Sequence, residues 1–236
     1  MRNSSYNTNI SGMMSATDVR AFISKVYSYM TSALFISALT AYYFADSGLL
    51  IKILTAAPFM QWVIILAPLA AVFAMSLGFN KFSQATLLGL FFGYAFLMGV
   101  SFSAIFLVFS LGTIGKVFFI TAALFGVMAV LGYTTKTDLT AMGGILMMAL
   151  IGMIIAGLVN MFLQSDAMDY VLSCIGVLVF TGLTAYDMQR IKRIGEGVEF
   201  GTASASKLAL MGALSLYLNF VNLFMMLLRV FGGRNE

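Results

Sequence analysis

The sequence predicts an all-α membrane protein, a bundle of seven transmembrane helices. Three observations carry this. Of 236 residues, 61% are hydrophobic and only 9% are charged, where a soluble domain carries about 25% charge. The few charges punctuate apolar runs of about 20 residues, the length a helix needs to cross about 30 Å of hydrocarbon. The runs are also too many for a single soluble core.

Taken in order, the charges bracket the spans. The first covers about residues 26–45, between Lys25 and Asp46, with Tyr42 and Tyr43 placed for an interfacial belt. The second covers about 59–78, with Trp62 near its start and Pro68 inside it as a kink site. The third, about 84–109, carries GLFFG, in which Gly89 and Gly93 form a small-xxx-small pair that predicts close helix packing. The fourth covers about 114–133. The fifth, about 143–163, has Gly152 and Gly157 as further packing candidates. The sixth runs about 169–189 and the seventh about 208–229, joined by about 18 residues. The domain plan is a polar cytoplasmic segment at 1–24, one seven-helix domain at 25–232 and a short external tail at 233–236. The N-terminal stretch lacks the apolar core of a signal peptide, so the first helix is expected to insert uncleaved.

Lysine and arginine set the expected orientation. With the N-terminus inside, the inner segments hold nine basic residues, and the outer ones hold four: Lys52, Lys116, Arg229 and Arg234. That asymmetry predicts a cytoplasmic N-terminus and an external C-terminus. Sidedness also accounts for the net charge of +4, so no nucleic-acid partner is expected.

Composition removes several chemistries. There is no histidine, which excludes His-based zinc or haem sites and a Ser-His-Asp triad. Cys174 is the only cysteine, so no internal disulfide forms. No lysine lies in 208–228 to hold retinal, and there is no HExxH. The 18 methionines are scattered without a repeated Met-xxx-Met array and read as flexible apolar filler. No catalytic, cofactor-binding or metal residue is expected, and no enzyme activity.

The informative polar residues lie in the last two spans. Ser215, Asn219, Asn222 and Met226 follow i, i+4, i+7, i+11 spacing, and Arg229 continues the line. They share one helical face, which should point into the bundle. In the sixth span Thr184 and Asp187 share a face, with Thr181 above them. Asp187 can pair with Arg190 or Lys192 at the surface, or stand at the inner mouth of a polar path. For Asn219 and Asn222 the plain alternative is hydrogen bonding between helices. Asp166 and Asp169 form a small acidic patch at the outer face, and Asn160 is a weaker member of the polar interior.

The blocks KVYSYMTSALFISALTAYYFA, GYTTKTDLT, MMALIGMIIAGLVN, AYDMQRIK and ALSLYLNFVNLFMMLLRVFG resemble the bacterial branch of the transmembrane Bax inhibitor motif family. The resemblance spans nearly the whole membrane region. It implies seven helices with the last one central, wrapped by the other six. It also implies a pH-sensitive calcium leak gated by two aspartates, one on each of the last two helices. By position the first is Asp187. The second falls in the LYLD block, which here reads LYLN, so Asn219 stands in its place. An amide stays neutral at every pH and can still donate or accept. The expectation is therefore a calcium or cation leak channel, with transient cations and the lipid bilayer as partners. Its path or gate residues would be Asp187, Asn219, Asn222, Ser215, Thr184 and Arg229, in a bacterial inner membrane. The alternative is a non-conducting protein that binds other membrane proteins in quality control or stress responses.

Overall fold

The computed structural model describes residues 16–232. The expected tail at 233–236 and residues 1–15 of the expected N-terminal segment lie outside the described residues. The remainder of that segment is helical. α1 (Ala16–Asp46) begins well before residue 26, because Val19, Phe22, Ile23 and Val26 repeat at i, i+3, i+4, i+7 and are all buried.

α1 is followed by α2 (Leu49–Ala56), α3 (Met60–Gly78), α4 (Gln84–Phe102), the short α5 (Ile105–Val108), α6 (Leu111–Thr134), α7 (Thr140–Leu163), α8 (Asp166–Gly197) and α9 (Ala203–Phe231). Six helices are long and apolar enough to span a membrane, with α4 and α5 counted as one. The number rises to seven when α1 and α2, bent by 70°, count as one broken span. Gly48 makes that bend, at a φ of 64° that favours glycine. Ser83, Ser110, Ser165 and Thr202 each accept a backbone N–H and start α4, α6, α8 and α9. The expected link of about 18 residues between the last two spans is mostly helix, leaving only 198–202 outside α8 and α9.

α9 is the core. Of its apolar window 61% is buried, against 0% for α7. It packs against α8, α1, α6 and α4, while α7 leans on α8 and α3 on α4. Ser37 of α1 ties three helices together, hydrogen-bonded to the Tyr217 hydroxyl of α9 at 2.7 Å and donating to the Ala95 carbonyl of α4 at 2.7 Å. Tyr94 stacks edge-on against Tyr217 at 5.4 Å, and Phe220 meets Phe125 of α6 at 5.4 Å.

Pro68 leaves α3 one continuous helix. A proline removes the bond that would satisfy the carbonyl four residues earlier. That carbonyl belongs to Ile64, and Ser101 of α4 donates to it at 2.9 Å. The defect inside α3 is thus repaired by its neighbour, as the absence of water in a bilayer demands.

The close helix approaches fall elsewhere than the sequence pattern placed them. A Cβ at Gly89, Gly93, Gly152 or Gly157 would meet nothing within 4 Å. At Gly99 it would lie 2.7 Å from the Ser37 carbonyl, and at Gly132 it would collide with the Ala185 carbonyl. Those two glycines set the α1–α4 and α6–α8 distances. Gly132→Ala should therefore lower stability by about 1–3 kcal/mol through overpacking, read as a reduced Tm in detergent, while Gly89→Ala leaves Tm nearly unchanged.

Candidate functional site

α8 and α9 run antiparallel, and the site lies between them. Asn219 donates its side-chain N–H to the Asp187 carboxylate at 2.7 Å. Asn219 is buried, and Thr184, one turn from Asp187, is completely so. Spacing put these residues on faces that two neighbouring helices could bring together, and the resemblance matched the two positions; the amide, rather than Arg190 or Lys192, makes the hydrogen bond to the carboxylate. Arg190 is exposed. The other seam residues do not join the pair. Thr184 donates to the Phe180 carbonyl at 2.7 Å and Asn222 to the Leu218 carbonyl at 2.8 Å, each within its own helix. Ser215 makes no side-chain hydrogen bond among the described residues. Thr181 keeps a buried hydroxyl without a partner.

Arg229 lies about 15 Å further along α9, ten residues at 1.5 Å each. It pairs with Asp169 at 2.8 Å, both about half exposed. The acidic patch at this end is therefore partly neutralised from α9. A cleft of about 760 Å³ opens here, lined by Asn160, Asp166, Asp169 and Arg229 among others. Asn160 itself is used structurally, bonding both backbone groups of Ser165 to fasten the α7–α8 turn. Between the two polar points stands Met226. A Cβ at Gly176 would lie 2.8 Å from the Met226 sulfur and 2.9 Å from the methyl group of Met153, so two thioethers fill the space over that glycine. The seam is two polar points separated by methionine.

Beyond Asp187, α8 holds a clamp that the sequence reading missed. Gln189 accepts from the Leu139 N–H at 2.9 Å and donates to the Thr137 carbonyl at 2.8 Å, gripping the 135–139 loop. Arg193 adds a salt bridge to Asp138 at 2.8 Å and a bond to the Thr140 hydroxyl at 3.1 Å. Lys192 donates to the Tyr133 carbonyl in the last turn of α6 at 3.1 Å, and Lys207 reaches the Phe79 carbonyl just past α3 at 3.4 Å. Cations at helix C-termini complement unsatisfied carbonyls and the helix dipole. The only sequence signal was Gln189 at i+2 and Arg193 at i+6 from Asp187, too weak to name a partner 50 residues away.

Among the described residues no group of three His, Cys, Asp or Glu could hold a metal ion. What the α8–α9 pair offers a passing cation is one carboxylate and one amide oxygen, both held in place.

Two outcomes follow. Asn219→Leu strips the Asp187 carboxylate of its donor, a charged hydrogen bond worth about 1.5–3 kcal/mol, and should lower Tm in detergent; Asn219→Gln should recover part of it. Asp138 behaves differently. Bonds from the Thr140 hydroxyl and N–H, aided by Arg193, lower its pKa to about 2. A depressed carboxylate stabilises above its unfolded pKa and loses that contribution only as pH falls through the folded value. Thermal stability of the native chain and of Asp138→Asn should therefore run parallel across neutral and mildly acidic pH and converge only near pH 2.

The chain is matched from residue 19 to 236 by the family model for the inhibitor of apoptosis-promoting Bax1. It is 42% identical over 217 residues to the inner membrane protein YbhL of Escherichia coli K12, covering 92% of this chain and 93% of that one. It is 42% identical over 215 residues to an uncharacterized protein of Borreliella burgdorferi, covering 91% and 93%. An uncharacterized membrane protein of Streptococcus pyogenes is 36% identical over 234 residues, covering 98% of this chain and all of that one. With its apolar spans and its central α9, the chain is a multi-pass membrane protein that belongs to the Bax inhibitor family.

Proposed function

We propose that this chain is a cation leak channel of a bacterial inner membrane, with calcium as the permeant ion and the α8–α9 pair as its controlling site. The observation that carries the reading is the Asn219–Asp187 contact. A carboxylate at the inner part of an apolar bundle is expensive and is retained where it does something. The buried, unpartnered Thr181 hydroxyl on the same helix supports it, since an orphan polar group fits the wall of a path that takes up water or ions. The basic residues Lys25, Lys192, Arg193 and Lys207 contact the end of the bundle that carries the 135–139 and 198–202 loops. Placing that end in the cytoplasm follows the charge-sidedness rule and puts Asp187 toward the inner mouth. The chain carries out no covalent chemistry in this reading.

A second reading has its own observation. Met226 and Met153 close the space over Gly176, and a single carboxylate is a weak match for a divalent cation. A bundle with a blocked seam would act by binding other membrane proteins.

Calcium flux into liposomes holding the purified full chain separates the two. The native chain should conduct, and Asp187→Asn should reduce flux to that of empty liposomes while leaving the helical content unchanged. Asn219→Asp builds two coupled carboxylates, which titrate in two steps, so flux should become more steeply dependent on pH. Silence from the native chain and from Asn219→Asp alike would overturn the channel reading in favour of the second.

A further inference from the structure

α1 and α6 stand on either side of α8, and a groove of about 510 Å³ runs between them with Met188 as its floor. Arg20, Ile23, Ser24 and Tyr27 line it from α1 at i, i+3, i+4, i+7, one continuous helical stripe. Ala129, Val130 and Tyr133 line it from α6. The chemistry is ordered along its length. At the end near the 135–139 loop stands Arg20, exposed and without an ion-pair partner among the described residues. Against the Tyr133 that lines the groove from α6, the Lys192 ammonium of α8 lies 5.0 Å from the centre of the ring, spending one donor on the Tyr133 carbonyl. About 10 Å deeper, seven residues along α1, the walls are Tyr27, Ala129, Val130 and Met188. There the Tyr27 hydroxyl has only the soft Met188 sulfur to donate to, at 3.3 Å, and sulfur is a weak acceptor.

We propose that this groove is a binding site for an anionic phospholipid of the adjacent leaflet. The lipid phosphate sits between Arg20 and Lys192, an ester oxygen takes the Tyr27 hydroxyl, and one acyl chain lies along Ala129 and Val130. Two cations followed by a hydroxyl and then hydrocarbon is the sequence of groups a phospholipid presents from head to tail. Basic pockets between membrane helices recognise anionic headgroups in this way. A soluble phosphate would use the cations alone and leave the apolar length of the groove without a role.

The test uses the purified full chain in detergent with spin-labelled phosphatidylglycerol or phosphatidylcholine, reading the immobilised fraction. Phosphatidylglycerol should be held in preference to phosphatidylcholine. Arg20→Gln should lose about fivefold of that preference, the worth of one basic residue at a membrane surface, and Arg20→Lys should keep most of it. Val130→Trp, at a largely exposed position, should expel both lipids from the groove without lowering helical content. Lys192→Gln repeats the charge test from α8. Equal retention of the two lipids, or an unchanged preference in Arg20→Gln, would overturn the site. Competition by glycerol phosphate as effective as by the intact lipid would also overturn it, by showing that the headgroup alone is recognised.

Discussion

A carboxylate set into a bundle this apolar must be answered from within the protein, and Asn219 answers Asp187. In a medium of low dielectric the alternative, a charge with no donor, is far costlier than in water. The contact therefore fixes α8 against α9 in both rotation and register. Much of the rest hangs from these two helices. α6 and α7 pack on α8, α1 and α4 pack on α9, and α3 rides on α4. One hydrogen bond between side chains thus lies at the junction of two groups of helices.

The same rule governs polar groups elsewhere in the fold. The Ile64 carbonyl, orphaned by Pro68, takes the Ser101 hydroxyl. The carbonyls at the ends of α6 and α3 take Lys192 and Lys207. Lys25 donates to Ser206 at 2.7 Å. Two of the cations counted for sidedness, Lys192 and Lys207, thus cap the ends of neighbouring helices, so their position serves helix termination. The exceptions are few. Among the described residues the buried side-chain oxygens left without partners are those of Tyr94 and Thr181.

The spans and the polar faces of α8 and α9 were legible in the sequence because each rests on periodicity, while the match of Asp187 with Asn219 came from the resemblance. Apolar runs have a length set by the bilayer, and Thr184, Asp187, Asn219 and Asn222 fall on faces fixed by 3.6 residues per turn. What spacing cannot supply is which face meets which neighbour. Gly89 and Gly93 have the pattern of a packing pair and look out on open space, whereas Gly132 has no such pattern and touches backbone. The Gln189 clamp was illegible for a related reason. Its partners are backbone groups of Thr137 and Leu139, and a backbone leaves no mark in composition. The early start of α1 was hidden by its polar residues, which occupy the outward side of a helix whose inner side is Val19, Phe22 and Ile23.

The loop between α6 and α7 has a mechanical consequence. It is pinned to α8 by Gln189 through two backbone bonds and by Arg193 through Asp138. Three struts joined at one node form a truss that couples the placement of α8 to that of α6 and α7. This joint lies within one turn of α8 from the Asn219–Asp187 contact, so the 135–139 loop ties the placement of α6 and α7 to the same stretch of α8 that meets α9.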